Sequence, residues 1–317
     1  MAPLFRSIMV PLDRSPLAEA ALPPAIAIAN PGRSKLRLVL VHRPAVLLGG
    51  EVRGKSLASL ELALRKEERE YLRGVRAKIE PRCDGPVATV TLRGAVGPAL
   101  ARYVRELGVD LVVMATHGRG GVQRAWLGSV ADQLVRTLAI PVLLVRGARG
   151  EVAAGAHRIL VPLDGSPLAE QVLGPASALA RLWGAELALV QVVQPVTLVD
   201  EPALPVPTAY GEELTQDWRR QAQAYLEGVA ERLKDEGIRA TAEACIGWSP
   251  GQTLVDLARP EHARLVAVAT HGRGGLQRMA LGSVADKLVR AAEVPVLVHR
   301  PAAAGRKRAR SSARAAR

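Results

Sequence analysis

The chain has 317 residues, of which 49% are hydrophobic and 23% are charged, and its formal net charge is +13. This length corresponds to two domains of ordinary size, and the apolar fraction excludes a disordered chain. The 29 glycines and 22 prolines are too few for a fibrous protein. No apolar run approaches the ~20 residues of a membrane-spanning helix, and no signal region precedes the first strand-like segment. We therefore expect a soluble, cytoplasmic protein.

The first half of the chain alternates short apolar runs with segments of helical composition. Its predicted strands are 7–12, 36–41, 87–92, 111–115 and 142–145, and its predicted helices are 16–29, 57–79, 98–107 and 130–138. The second half repeats this order, with predicted strands 158–163, 187–193, 240–246, 265–269 and 296–299. Several strands are apolar at nearly every position, which is typical of strands covered on both faces. The alternation predicts an α/β fold with a doubly wound parallel sheet in each half.

The chain contains one unit twice. Residues 8–19 recur as 159–170 with ten of twelve positions identical, and residues 116–146 recur as 270–300 with 21 of 31 identical. Each copy has about 150 residues, so the units are whole domains and not solenoid repeats. We expect one domain over 1–147 and a second over 157–300, joined by a segment rich in glycine and alanine.

The C-terminal segment 301–317 contains six basic residues and no acid. It has no apolar periodicity, so we expect a disordered basic tail. Such a tail is either a solvated end of the chain or a site of weak, non-specific attraction to nucleic acid or another polyanion.

A carboxylate follows the first strand of each half, at the edge where ligands of doubly wound sheets bind. Asp13 and its counterpart Asp164 are followed two residues later by Ser15 and Ser166, which are predicted N-caps. The carboxylate either shapes the turn or accepts hydrogen bonds from the hydroxyls or base of a ligand.

A glycine-rich segment, THGRGG, follows the fourth strand of each half. Its glycines allow backbone N–H groups to approach an anion, and Arg119 and Arg273 add guanidinium groups suited to phosphate. Nine residues separate its first glycine from a Gly-Ser pair that precedes the next helix. We expect Ser129 to cap that helix with Asp132 in the capping-box position, and the helix N-terminus to attract phosphate.

Other phosphate and catalytic motifs are absent from the sequence. It contains no P-loop, and Gln123 stands where a dinucleotide fingerprint needs its last glycine. It has no cluster of metal-ligand spacing, so we expect no metal held by the protein. His117 and His271 are either loop residues bonded to the backbone or catalytic bases, and no set of catalytic residues is convincing. The two cysteines are expected to be unpaired thiols.

Together these segments resemble the universal stress protein (UspA) family in its tandem two-domain form. The resemblance covers about residues 5–147 and 157–300 and rests on the I-x-V-P-L-D-x-S opening, the H-G-R-G-G loop and the closing G-S-V-A-D segment with P-V-L. It implies a five-stranded parallel sheet in the order 3-2-1-4-5. It also implies ATP binding through G-x-x-G-x9-G-[ST], whose first glycine is replaced here by alanine in both copies.

The resemblance assigns nucleotide-binding roles in each half to the residues after strand one, at the end of strand two, in the glycine loop and at the following helix start. These positions are Asp13, Val41, Ala115, Gly118, Arg119, Gly128, Ser129, Val130, Asp164, Val192, Ala269, Gly272, Arg273, Gly282, Ser283 and Val284. Any magnesium is expected to arrive with the nucleotide.

We therefore expect a regulatory protein of the stress response that binds adenine nucleotide and has no membrane partner. The alternatives are a slow ATPase or phosphotransferase, and a stress scaffold that binds no nucleotide and has weak polyanion affinity through its tail. The segments after strand two, 44–55 and 195–210, differ between the halves, so unequal occupancy of the two sites is expected. The apolar last strands are expected to pair the halves within one chain, and a homodimer is a further possibility.

Overall fold

The computed structural model describes residues 5–44, 57–116, 127–146, 158–197, 209–259, 262–270 and 281–300. In the first half, the elements are β1 (Ser7–Leu12), α1 (Pro16–Glu19), α2 (Leu22–Ala29), β2 (Lys35–His42), α3 (Leu57–Ile79), β3 (Val87–Arg93), α4 (Val96–Glu106), β4 (Leu111–Thr116), α5 (Ser129–Thr137) and β5 (Val142–Arg146). In the second half, they are β6 (Arg158–Pro162), α6 (Pro167–Glu170), α7 (Leu173–Trp183), β7 (Glu186–Val193), α8 (Ala209–Asp235), β8 (Ala240–Ile246), α9 (Pro250–Leu257), β9 (Leu265–Ala269), α10 (Ser283–Ala291) and β10 (Val296–His299).

The strands form a single sheet in the order β3-β2-β1-β4-β5-β10-β9-β6-β7-β8. Within each half all neighbouring strands are parallel, and the order is 3-2-1-4-5, so the predicted fold class is confirmed. Between the halves β5 and β10 run antiparallel, with Leu143 opposite Leu297. The carboxyl ends of β1, β2 and β4 therefore lie at one edge of the first half, and those of β6, β7 and β9 at the equivalent edge of the second.

Apolar side chains fill both faces of the sheet. On β1, Ile8, Val10 and Leu12 face the core cluster formed with α2 and α3, whereas Met9 faces the cluster formed with α4 and α5. This alternation follows from the two-residue period of a strand. It confirms strands covered on both faces.

The single helix predicted over 16–29 is wrong in one respect, because the structure divides it into α1 and α2. Pro23 and Pro24 have no N–H to donate to the carbonyl groups one turn earlier, so a continuous ladder is impossible here. Ala20 and Ala21 instead donate to Leu17 and Ala18 three residues back. The second half divides its helix in the same way at α6 and α7.

No helix in the described part of the chain is long and apolar enough to cross a bilayer.

Candidate functional site

The Asp13 carboxylate organises the turn at the carboxyl end of β1. Its Oδ1 accepts hydrogen bonds from the backbone N–H of Ser15 (3.0 Å) and from the Ser15 hydroxyl (2.6 Å). The Ser15 Oγ in turn accepts from the N–H of Ala18 at 3.1 Å and caps α1. Asp13 is exposed and these bonds use one of its two oxygens, so the carboxylate shapes the turn and retains acceptor capacity toward solvent.

The second half repeats this turn with one change of residue. Asp164 Oδ1 accepts from the N–H of Ser166 at 3.0 Å, and Ser166 Oγ accepts from the N–H of Ala169 at 3.1 Å. The intervening residue is left-handed in both halves, but it is Arg14 (φ 71°) in the first and Gly165 (φ 79°) in the second. The first half therefore has an arginine next to its carboxylate residue where the second has a glycine, and the Arg14 guanidinium pairs with Glu67 of α3 at 3.4 Å.

The strand-two residues Val41 and Val192 lie at equivalent positions, one residue before their strands end. Val41 is opposite Leu92 and Val192 is opposite Cys245 in the parallel register. Both valines are partly buried against the core cluster that contains α4, α5, α9 and α10. Their backbones thus reach the same edge of the sheet as the carboxylates.

The alanines that replace the family's first glycine lie inside strands. Ala115 is the fifth residue of β4, and Ala269 is the last residue of β9. Both side chains belong to the cluster on the α2 and α3 face, whereas α5 and α10 pack on the opposite face. The methyl groups therefore point away from the helix starts, and extended backbone accommodates alanine there.

The helix starts differ from the predicted capping box. Gly128 and Gly282 are the N-cap residues, and neither helix has a side-chain cap hydrogen bond. Ser129 is instead the exposed first residue of α5, so its predicted role as an N-cap is wrong. Asp132 does not reach back to close a box, because its carboxylate pairs with Arg136 one turn later at 2.8 Å.

The second helix start makes the same arrangement and adds a backbone contact. Asp286 pairs with Arg290 at 2.7 Å, and Ser283 is exposed. The N–H of Gly282 donates to the carbonyl of Thr270 at 2.7 Å, and a Cβ on Gly282 would lie 3.0 Å from that oxygen. The close approach of the strand end explains the glycine here without any ligand. The N–H groups of Ser283 and Val284 come next and begin the helix.

Several predicted site residues lie outside the described residues. They are the glycine-loop residues Gly118, Arg119, Gly272 and Arg273, with the two loop histidines His117 and His271. The joint at 147–156 and the tail 301–317 also lie outside them. The structure therefore brings together the carboxylate, the strand-two end and the helix start of each half, and the glycine loops stay predictions.

A cluster of titratable side chains around a buried histidine lies next to the first site and was not predicted from the sequence. The His42 side chain at the end of β2 is 1% exposed, and its Nδ1 lies 2.9 Å from Glu68 of α3. Its Nε2 lies 3.5 Å from Glu61 and makes no hydrogen bond in the described part of the protein. Glu61 also accepts from Arg65 (2.6 Å) and Arg93 (2.7 Å), and the hydrogen bond from Arg65 is the main cause that lowers its pKa.

The second half places neutral residues at the equivalent positions. Val193 replaces the histidine, and Ala222 and Thr215 replace the two glutamates. Thr215 is buried and accepts from the N–H of Val196 at 2.9 Å while it donates to the carbonyl of Gly211 at 2.7 Å. A residue-by-residue comparison of the two copies would have revealed this charged difference beside strand two.

A tyrosine-glutamate pair recurs in both halves. The Tyr71 hydroxyl donates to Glu19 at 3.1 Å, and the Tyr225 hydroxyl donates to Glu170 at 2.9 Å. Burial, followed by the neighbouring carboxylates, raises the pKa of both phenols. Each pair fixes the long helix of its half against the short helix that follows the carboxylate turn.

The described residues contain no group of three or more histidine, cysteine, aspartate or glutamate side chains arranged to hold a metal ion.

Comparison with protein families gives one match in each half. The model of the universal stress protein family matches residues 4–146 and 155–300.

Curated relatives carry the same family name. Universal stress protein Rv2005c of Mycobacterium tuberculosis is 35% identical over 192 residues, which cover 60% of this chain and 62% of that protein. Universal stress protein Rv1996 of the same organism is 28% identical over 307 residues, which cover 92% of this chain and 94% of that protein. The chain thus spans 62% of the length of the first relatives that it matches.

Solved structures share the fold over both halves. A universal stress protein from Archaeoglobus fulgidus has a TM-score of 0.70 at 19% identity and covers 93% of this chain and 98% of its own. Protein PA1789 of Pseudomonas aeruginosa, of unknown function, has a TM-score of 0.62 at 20% identity and covers 94% of this chain and 93% of its own. At these identities the likeness concerns the fold alone.

Proposed function

Because the chain belongs to the universal stress protein family, we propose that it is a regulatory protein of the stress response that binds an adenine nucleotide. ATP is the first candidate for this nucleotide. One observation carries the proposal. In each half a carboxylate turn, the end of strand two and a helix start headed by glycine converge on the carboxyl edge of the sheet. This is the edge where doubly wound sheets bind ligands.

The phosphates would lie at the starts of α5 and α10. The first N–H groups of a helix have no intrahelical acceptor, and the helix dipole adds positive potential there. Ser129 and Ser283 are exposed at these positions, and in this proposal their N–H groups bind the phosphates. In this proposal Gly118, Arg119, Gly272 and Arg273 complete the phosphate site, and magnesium arrives with the nucleotide.

The nucleoside would lie toward the first two strands of each half. Asp13 and Asp164 offer carboxylate oxygens to ribose hydroxyls or to the base, and the backbones of Val41 and Val192 would border the adenine. Asp13 Oδ1 is already used by the turn, so its second oxygen serves the ligand.

The two sites are proposed to be unequal. Arg14 and the buried cluster around His42 border the first, whereas Gly165 and Val193 take their places in the second. The Arg14–Glu67 pair and the polar side chains around His42 change the shape and the surroundings of the first site. We expect the two affinities for ATP to differ by about tenfold, which corresponds to about 1.4 kcal/mol.

Calorimetric titration with magnesium and ATP tests the proposal. Ser129→Glu and Ser283→Glu each place a carboxylate where phosphate is expected, and an acidic residue in the first turn does not destabilise the helix. Each variant should remove one of two binding events, while the neutral controls Ser129→Gln and Ser283→Gln should keep both. A wild-type protein that gives no saturable heat with ATP, ADP or AMP would leave the scaffold alternative.

The same samples separate binding from turnover. Retained ATP supports a binding protein, because phosphoryl transfer needs a positioned base or water and fixed metal ligands. Magnesium-dependent release of ADP that is lost in both glutamate variants would instead establish the slow ATPase.

The proposal extends to the organisation of the molecule. We propose that 1–147 and 157–300 are its domains, that they pair within one chain and that the protein is cytoplasmic. The antiparallel register of β5 and β10 supports the pairing. Light scattering that yields the mass of one chain supports an intramolecular pair alone, and twice that mass supports a further homodimer.

A further inference from the structure

The outer edge of β8 is closed by a side chain of α8. The Nε2 of Gln223 donates to the carbonyl of Ala242 (3.2 Å), and its Oε1 accepts from the N–H of Ala244 (2.8 Å). Its Nε2 also donates to Glu227 at 2.8 Å, which holds the amide in place. Gln223 thus satisfies backbone groups that a neighbouring strand would otherwise pair, and it protects the edge against strand addition.

The first half lacks this closure at the equivalent place. The matching tyrosine-glutamate pairs align α3 with α8, and this alignment puts Arg69 at the position of Gln223 and Arg73 at that of Glu227. The strand registers put Thr89 and Thr91 of β3 at the positions of the two alanines. An arginine donates hydrogen bonds but accepts none, so Arg69 cannot receive the N–H of Thr91.

Within the described part of the chain, the outer edge of β3 is consequently open. Every second residue of an edge strand turns its N–H and C=O away from the sheet, and the β8 bonds identify the equivalent residues of β3 as Thr89 and Thr91. Among the described residues, no side chain or backbone group hydrogen-bonds to these outward groups. The strand has seven residues without proline, and its only charged side chain, Arg93, is the last of them and pairs with Glu61.

Unpaired positive charge borders this open edge. Arg69 and Arg73 are exposed, lie one helical turn apart and have no ion-pair partner in the described part of the chain. Their neighbours Arg65 and Arg76 are already paired with Glu61 and Glu80. A second copy of the chain is therefore disfavoured as the partner of this edge, because its Arg69 would lie opposite the Arg69 of the first copy in an antiparallel strand pair. The segment 301–317 is disfavoured as well, because it is basic.

We infer that the outer edge of β3 binds an extended acidic segment of a partner protein, which adds to the sheet as a further strand. Main-chain hydrogen bonds to Thr89 and Thr91 supply the pairing, and alternate acidic side chains face Arg69 and Arg73. The other side chains of the partner lie beside Val90 and Leu92, which are only partly buried, so apolar residues fit there. The partner segment therefore alternates acidic and apolar residues, and its binding is independent of nucleotide.

Fluorescence anisotropy with a labelled synthetic peptide tests the inference. The probe alternates glutamate and valine, and the matched controls alternate lysine and valine or carry a central proline that removes a backbone donor. The glutamate peptide should bind the full chain saturably, and more weakly as salt rises. The triple variant Arg69→Gln/Thr89→Ala/Thr91→Ala introduces the glutamine and the two alanines of the second half's closed edge, and it should weaken binding about tenfold or more.

The converse variant opens the other edge. Gln223→Arg/Glu227→Arg copies Arg69 and Arg73 at the β8 edge and should add a second binding event for the same peptide, and unchanged circular dichroism of each variant shows that it is folded. No saturable binding of the glutamate peptide, equal binding of the lysine peptide, or unchanged binding by the triple variant would overturn the inference. A homodimer that is lost in the triple variant while the peptide fails to bind would show a second copy to be the occupant, which also overturns it.

Discussion

At the scale of single residues, the two halves form the same turn with different residues at its left-handed position. Arg14 and Gly165 both adopt positive φ after the strand-one carboxylate. This region costs a residue with a Cβ about 1–2 kcal/mol, and glycine adopts it without that penalty. The half-exposed pair of Arg14 with Glu67 at 3.4 Å offsets little of the cost. Residues held under such strain cluster at functional sites, which agrees with the place of Arg14 beside the proposed nucleoside carboxylate.

Replacing Arg14 by glycine is therefore expected to stabilise the protein. Removal of the left-handed penalty outweighs the greater freedom of glycine in the unfolded chain, which costs about 0.4–1 kcal/mol. We expect Arg14→Gly to raise the free energy of unfolding by about 0.5–1 kcal/mol in urea denaturation. The reverse change, Gly165→Arg, serves as the matched control and should lower it by a similar amount. A lower stability of Arg14→Gly would show that the arginine contributes more through its contacts than its backbone costs.

At the scale of elements, two kinds of helix start occur at the candidate sites. Ser15 and Ser166 accept a backbone hydrogen bond and cap α1 and α6, whereas Gly128 and Gly282 begin α5 and α10 without a side-chain cap. A capped start has satisfied one of its free N–H groups, and an uncapped start keeps them for water or a ligand. The uncapped starts are the ones at which phosphate binding is proposed.

Serine-to-alanine substitutions distinguish the two kinds of start. Ser15→Ala and Ser166→Ala remove a cap, and each should lower the free energy of unfolding by about 1 kcal/mol. Ser129→Ala and Ser283→Ala remove exposed hydroxyls that cap nothing, so a change within about 0.5 kcal/mol is expected. Thermal unfolding of the four variants side by side measures the difference. A loss at Ser129 as large as that at Ser15 would contradict the observed helix start.

At the scale of the whole molecule, the seam between the halves has a pseudo-twofold arrangement. Beside the β5 and β10 pairing, Arg146 donates to the carbonyl of Val289 at 2.7 Å, and Arg300 donates to the carbonyl of Arg136. Each arginine thus follows the last strand of its own half and binds the end of the last helix of the other half. Guanidinium groups at helix C-termini also interact favourably with the helix dipole.

The double variant Arg146→Ala/Arg300→Ala should loosen this seam. Hydrogen bonds from charged groups contribute about 1.5–3 kcal/mol each. The loss of both should therefore lower the temperature at which the less stable half unfolds, and the two halves should unfold at separate temperatures. Differential scanning calorimetry measures this as a broadened or divided transition. The exposed pair Arg105→Ala/Arg264→Ala removes the same charge and should leave the profile unchanged. A single, unshifted transition in the seam variant would show that the strands alone hold the halves together.

The sequence predicted most of the fold because the signals for its elements are local. The β8 and β9 strands have the predicted bounds, α3 covers 57–79 as predicted, and β1 ends at Leu12. The family resemblance, and not the periodicity, supplied the strand order 3-2-1-4-5. The prediction was wrong where a missing backbone N–H group ends a helix. Pro23 and Pro24 divide the segment 16–29, whose other residues have helical composition.

The candidate site was predictable only in part. Asp13 and Asp164 follow strand one in the sequence itself, and they reach the carboxyl edge because every parallel strand of the half ends there. The capping role of Ser129 was wrong because Gly128 is the N-cap, and the serine pattern does not reveal that Asp132 pairs with Arg136. The role of His42 was not predicted either, because this residue follows the predicted strand 36–41 and its partner Glu68 lies 26 residues away.

The sequence by itself therefore determined that this protein is a duplicated α/β unit with phosphate-suited segments after its strands. Only the tertiary structure decided which side chains meet across elements. It placed His42 between two glutamates in one half, closed the β8 edge with Gln223 and left the β3 edge bordered by Arg69 and Arg73. The physical reason is that periodicity and capping are properties of neighbours in the chain, whereas ion pairs and edge closure depend on residues that only folding brings together.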